Sequence, residues 1–138
     1  MKHQITTSLL ALFVSCISVF GQYNNGVIVE PVLKTDTTSI GQKIIYPQFN
    51  APEVTMARIT IKPGKSTGWH KHSFPVFAYI LEGSLSIEIE KKPTVIFSAG
   101  QSFAEVMNTM HNGTNNSNKD VVLIAFFLGG KNMPLSTH

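Results

Sequence analysis

Cysteine is almost absent from this sequence, since Cys16 is the only one among 138 residues. It lies inside an apolar run near the start of the chain, residues 5–20. The rest of the chain therefore offers no thiol and no disulfide, even in an oxidising compartment. We expect a hydrophobic core to hold the protein together instead.

Arginine is equally scarce. Arg58 is the only one, and the formal net charge is only +3. No basic run marks a nucleic-acid surface, so we predict no nucleic-acid partner. Arg58 alternates with Ala57 and Ile59, which belong to the apolar phase of a predicted strand. We therefore expect Arg58 on the outer face, where it would not anchor an anionic substrate.

A hydrophobic run long enough to span a membrane is missing as well. Residues 5–20 follow Lys2 and include five serine and threonine residues, whereas a bilayer span needs about 20 mostly apolar residues. With small residues Val19 and Gly21 before a cleavage point, the pattern is typical of a secretory signal peptide, residues 1–21. We predict a single exported domain, residues 22–138, that is periplasmic or secreted and has no integral membrane segment. A lipoprotein acylated at Cys16 is the alternative.

The sequence also lacks any window of sustained helical periodicity. It has instead short β-rich stretches separated by Gly, Pro and Asn. We predict seven strands, at residues 26–29, 54–61, 76–81, 85–89, 94–97, 101–106 and 121–128. A turn at Gly83 predicts a hairpin over residues 76–89. Residues 112–120 read as a turn, and residues 35–52 stay unassigned. The fold class is all-β, a sandwich or a closed barrel.

His70 and His72 form an H-x-H pair. Residues i and i+2 of a strand point to the same face, so both imidazoles would converge on one point. His111 stands beside another strand, and His138 is the remaining histidine after residue 21. The spacing alone fits a metal site and an ordinary histidine pair equally well.

Two longer patterns resemble the two motifs of the cupin superfamily, in its small single-domain bacterial form. The first pattern has the spacing of Gly64, His70, His72, Val76 and Gly83. The second has that of Gly100, Val106, Asn108, His111 and Asn115. The sixteen residues between them, 84–99, also suit that form. Three letters depart from the usual motifs: Val76 replaces a glutamate, and Val106 and Asn108 replace a proline and a glycine.

The resemblance implies a double-stranded β-helix, the jelly-roll or cupin barrel, with a metal ion near one mouth. The ligands it carries over are His70, His72 and His111, whereas Val76 has no donor atom. Glu105 is our candidate for the missing carboxylate, because strand alternation places it on the pocket face. The alternatives are that Glu105 is a solvated strand residue and that the site has three protein ligands.

The resemblance also implies one divalent metal ion, which could be Fe, Mn, Ni, Cu or Zn. The function we expect is a metal-dependent oxygenase or isomerase-like enzyme that acts on a small molecule. If Glu105 binds the ion, no other carboxylate or histidine is expected to face the pocket as a general acid or base. The alternatives are a non-catalytic metal-dependent module that binds a small ligand, and a barrel that serves only in assembly. We also predict a homodimer, because small barrels often cover an apolar edge or face in this way.

Overall fold

The structure is a computed structural model that describes residues 25–138. The predicted signal peptide, residues 1–21, lies outside them. Residues 31–138 form one compact unit, which contains every strand described below. No helix in the described residues is long and apolar enough to cross a membrane.

The described chain folds into seven strands and no helix, so the all-β prediction is confirmed. The strands are β1 (Pro52–Ile61), β2 (Val76–Glu82), β3 (Ser84–Ile89), β4 (Lys92–Ser98), β5 (Ser102–Ala104), β6 (His111–Thr114) and β7 (Val121–Gly130). They form two antiparallel sheets, one with the order β1-β7-β2-β5 and the other with the order β4-β3-β6.

Alternation along the strands places the core between the two sheets. The four-stranded sheet contributes Ile61, Ile80 and Leu123, and β3 of the other sheet contributes Leu85 and Ile87. Burying large aliphatic side chains in this way stabilises a fold by about 1.5–3 kcal/mol for each one. The opposite phase of β1 is exposed, and Arg58 lies there, as the sequence predicted. Its guanidinium is 3.9 Å from the carboxylate of Glu82.

The hairpin predicted over residues 76–89 is wrong. β2 pairs with β5 and β7, whereas β3 pairs with β4 and β6. Gly83 joins the two strands with a φ of 77° and turns the chain from one sheet into the other. A Cβ atom at this position would lie 2.8 Å from the Asp120 carbonyl oxygen, so the tight corner requires glycine.

Two further expectations also differ from the structure. Residues 26–29 form no strand, because the chain turns at Gly26 and the apolar side chains after it are exposed. Part of the turn predicted at 112–120 is strand β6, which pairs with β3. The Asn112 side chain donates to Glu88 and the Gly113 N–H donates to Thr67, and these tertiary bonds outweigh the low β-propensity of the segment.

Candidate metal centre

Backbone pairing places three histidines at one end of the space between the sheets. The N–H of His70 donates to the carbonyl of His111, and the reverse bond also forms, each 2.9 Å long. His72 pairs in parallel with Met107. Since His70 and His72 are two residues apart in an extended segment, both imidazoles project to the same side, where His111 faces them.

Glu105 completes a group of four side chains. One ligand atom from each of His70, His72, Glu105 and His111 lies within 4.8 Å of all the others. The Oε2 atom of Glu105 is 2.9 Å from Nε2 of His72 and 3.1 Å from Nε2 of His111. Its side chain is only 14% exposed, so it is not the solvated strand residue that the sequence left as an alternative.

Glu105 also stands beside the position where the sequence lacks a glutamate. Its backbone N–H donates to the carbonyl of Val76 over 2.9 Å, immediately after β5 ends. Val76 is itself buried, in an apolar cluster with Phe74 and Phe127. The carboxylate therefore reaches the site from the neighbouring strand, while Val76 serves in packing.

Each imidazole is oriented by a backbone carbonyl. Nδ1 of His70 donates to Gly68 over 2.7 Å, Nδ1 of His72 to Leu135 over 2.7 Å, and Nδ1 of His111 to Thr109 over 2.9 Å. When an ion is bound in place of the Nε2 proton, a proton held on Nδ1 leaves the Nε2 lone pair of each ring to coordinate it. This second layer of hydrogen bonds is typical of metal-binding histidines.

The donor set suits a divalent ion. Two ligand atoms about 2.1 Å from one ion and at a right angle to each other are about 3.0 Å apart, which is close to both Glu105 distances. Three imidazoles and one carboxylate suit first-row transition metals better than Ca²⁺ or Mg²⁺, which prefer oxygen ligands. The four residues could therefore hold one such ion.

The charges of the four groups are coupled. Burial raises the pKa of the Glu105 carboxyl, but hydrogen bonds from His111 and His72 outweigh burial and lower that pKa to about 2. Burial lowers the pKa of His111, yet the Glu105 carboxylate raises it above its ordinary value of 6.5. Burial lowers the pKa of His70, and the charges of His111 and His72 act in the same direction. Glu105 is thus an anion at neutral pH, placed to offset the charge of a bound cation.

The four side chains open onto a small, mostly apolar cavity of about 50 Å³, here called the inner cavity. Its apolar walls are Ile59, Ile61, Leu85, Ile87, Leu123 and Phe127. A second space of about 220 Å³, the outer pocket, shares His70 and His72 with it and adds Leu135, Ser136 and His138. The inner cavity is therefore lined mainly with hydrocarbon, and the outer pocket, with a mixed polar and apolar lining, forms a wider mouth.

His138 is a residue near the site that the sequence pattern did not predict there. His138 lines the outer pocket, with its ring 6.4 Å from that of His70 and its Nδ1 2.9 Å from the Trp69 carbonyl oxygen. The expectation that no further histidine faces the pocket is therefore wrong. The reason is that the irregular segment at residues 131–138 folds back over the H-x-H pair, which strand periodicity does not reveal.

Gln42 is a second residue near the site that no sequence pattern predicts there. Its side-chain amide donates to the Met107 carbonyl over 3.0 Å and accepts from the Met107 N–H over 2.9 Å. It thereby holds both backbone groups of Met107, between Glu105 and His111. A side chain that replaces a strand partner leaves no periodic pattern in the sequence.

Together, the fold and the site define a β-barrel of the jelly-roll type with a candidate transition-metal centre inside it. The family model of the cupin domain matches residues 57–127, which span β1 to β7 and all four candidate ligands. The chain belongs to the cupin superfamily. None of the curated proteins matches it.

Several solved structures share this fold at low sequence identity. An oxalate oxidase is 21% identical with a TM-score of 0.50, over 55% of this chain and 42% of its own. A Bacillus halodurans protein is 17% identical with a TM-score of 0.52, over 61% and 67%. A DMSP lyase from Ruegeria pomeroyi is 13% identical with a TM-score of 0.52, over 61% and 42%. The chain thus spans less than half of the oxalate oxidase, and at these identities the likeness concerns the fold alone.

Proposed function

We propose that this protein is a metal-dependent enzyme that acts on a small molecule bound directly to the ion. The single observation that carries the proposal is the position of the four ligand atoms, which converge beside a cavity instead of being enclosed by protein. Catalytic metal sites keep coordination positions open, whereas structural sites are closed. The inner cavity is the space from which a small molecule would take such a position.

His70, His72, Glu105 and His111 would hold one divalent ion, drawn from Fe, Mn, Ni, Cu and Zn. When bound, the ion supplies Lewis acidity or a place for dioxygen, which suits an oxygenase or an isomerase-like reaction. The chain supplies the rest. Apolar walls exclude water from the ion, and the three carbonyls at Nδ1 keep the imidazoles in one tautomer.

A non-catalytic, metal-dependent ligand-binding module is the second candidate. One observation favours it: apart from the four candidate ligands, His138 is the only ionisable side chain that lines the two spaces in the described residues. It lies exposed at the rim. Proton transfer to or from a bound molecule would therefore depend on His138, on water or on the ion itself.

Export is also part of the proposal, and the pattern of residues 1–21 supports it. A domain released to the periplasm or the medium would meet its ion there. A mature N terminus at Gln22, read by mass spectrometry of the exported protein, is the expected result. An intact Met1 on exported protein would contradict it.

Turnover distinguishes the enzyme from the module. The purified chain would be loaded with each of the five ions, and a panel of small carboxylic acids, diketones and sugars would be followed by NMR and by an oxygen electrode. We expect at least one ion to support conversion of a panel member, and His111→Ala to abolish it. Saturable, metal-dependent binding without product would favour the module, and a chain that retains no ion would refute both.

A further inference from the structure

Few charged side chains line the space around the candidate ion. In the described part of the chain, neither the inner cavity nor the outer pocket is lined by any lysine or arginine. Among the described residues, Glu105 is the only one that brings a side-chain carboxylate to either lining. The neighbouring cation, Lys71, alternates with His70 and His72 and is exposed on the opposite side of their segment.

The net charge of a loaded site follows from this composition. A divalent ion bound by three neutral imidazoles and one carboxylate leaves one net positive charge. In an apolar cavity, an unpaired charge is costly, so a bound ligand that neutralises this charge is favoured. A monoanion brings the site to neutrality, whereas a dianion leaves a negative charge against hydrocarbon.

The polar groups of the pocket offer little for a second anionic group. The Thr67 hydroxyl already donates to the Gly68 carbonyl over 3.1 Å and accepts from the Gly113 N–H over 2.9 Å. Ser136 and His138 add a hydroxyl and an imidazole to the outer pocket, and the His138 ring lies 6.4 Å from that of His70. Nδ1 of His138 already donates to the Trp69 carbonyl, and neither residue supplies the fixed positive charge that would favour a second anionic group.

The two volumes set the size of the ligand. The inner cavity of about 50 Å³ has room for a group of a few atoms at the ion, and the outer pocket of about 220 Å³ has room for a short body attached to that group. Sites for drug-sized ligands are larger, at about 300–1,000 Å³. Long or bulky ligands are therefore excluded.

We infer that the site selects a small monoanion, with one carboxylate or equivalent group on the ion and a short body without a second charge in the outer pocket. Dicarboxylates and phosphorylated molecules are disfavoured. This inference depends on the proposed function, because it requires an ion in the site, but it names a ligand class that the metal centre alone does not determine.

Butyrate and succinate test the inference, because both have four carbons and differ in one end group. The full chain would be loaded with Co(II), with the bound metal measured in the same samples, and titrated at pH 8. The Co(II) visible spectrum reports a ligand at the ion. We expect half-saturation by butyrate at a concentration lower by about 10-fold or more than for succinate or inorganic phosphate, which corresponds to about 1.4 kcal/mol.

The possible results distinguish a failure of this inference from a failure of the proposed function. Equal or tighter binding of succinate or phosphate overturns the inference while Co(II) remains bound and the proposed function stands. The same holds if the loaded protein responds to none of the three probes. A protein that fails to retain Co(II) refutes the proposed function and the inference with it.

A charge change in the wall gives an independent test. Leu135 is exposed enough to accept a longer side chain and lines the outer pocket, whereas Met133 on the same segment does not line it. Leu135→Lys should reduce the preference for butyrate over succinate by about 3-fold or more, through attraction of the second carboxylate. Met133→Lys, the matched control, should leave the preference unchanged. An unchanged preference in folded Leu135→Lys protein would contradict the inference.

Discussion

Glu105 is the one negatively charged side chain of the candidate metal centre in the part of the chain that the structure describes. Strand alternation in the sequence was enough to suggest that it faces the histidines, and its carboxylate lies 2.9 and 3.1 Å from two of them. The backbone bond to Val76 and the carbonyl partners of the imidazoles could not be predicted, because main-chain groups are the same at every position. The sequence thus indicated which side chains meet but not what orients them.

Glu105→Gln should weaken metal binding. The amide keeps the shape of the side chain but removes its charge, so the dissociation constant for Co(II) or Zn(II) should rise by about 10-fold or more. Isothermal titration calorimetry measures it. Glu82→Gln is the control, because that carboxylate is exposed on β2 and should change affinity little. Equal effects of the two substitutions would remove Glu105 from the site.

Metal affinity should also depend on pH, with a sign set by His111. A protonated imidazole cannot coordinate, and the carboxylate of Glu105 raises the pKa of His111 above 6.5. Affinity should therefore be full at pH values above this raised pKa and fall as the pH drops through it, by up to about 10-fold per pH unit for this one proton. Titrations at pH 8, 7 and 6 test this. A constant dissociation constant across that range would contradict it.

At the scale of elements, residues 131–138 act as a strap across the H-x-H segment. The strap pairs with Lys71 through two backbone bonds to Thr137, of 2.9 and 3.0 Å, and its Leu135 carbonyl holds Nδ1 of His72. Its sequence has no strand periodicity, so the prediction ended the last strand at residue 128 and assigned nothing beyond it. The same reliance on periodicity missed polar β6 and predicted a strand at exposed residues 26–29.

A substitution in the strap should weaken metal binding, although the strap supplies none of the four candidate ligands. Thr137→Pro removes the N–H that donates to Lys71, so the Leu135 carbonyl should hold His72 less firmly. We expect metal affinity to fall by about 10-fold and the nitrogen NMR signals of His72 to show mixed tautomers. Thr137→Ala keeps the N–H and should change neither. Unaltered His72 signals in folded Thr137→Pro protein would show that the strap does not orient this ligand.

At the scale of the whole molecule, the outer face of the four-stranded sheet is apolar. Val54, Met56 and Phe126 are exposed there, with Met56 65% exposed, and Met56 and Phe126 are paired across β1 and β7. Arg58 and Glu82 lie on the same sheet, 3.9 Å apart. A second copy related by a two-fold axis would cover the apolar side chains and could set each Arg58 against the partner's Glu82.

We therefore expect a homodimer through this face. Light scattering of the purified chain should give twice the chain mass, and Met56→Lys should convert it to a monomer, because a charge would be buried in the interface. Ile96→Lys, at a residue 61% exposed on β4 of the other sheet, should leave the dimer intact. A monomeric wild-type protein would contradict the prediction.

One ion at the four converging side chains is the feature on which the proposed function rests, and elemental analysis of the purified chain measures it most directly. We expect about one transition-metal ion per chain for the wild type and for Glu82→Gln, as for a site with a full ligand set. For the triple substitution of His70, His72 and His111 by Ala, we expect less than about a tenth of an ion, with circular dichroism still showing β-structure. A folded wild-type chain that retains no ion after loading, or a triple variant that retains as much as the wild type, would contradict the proposed function.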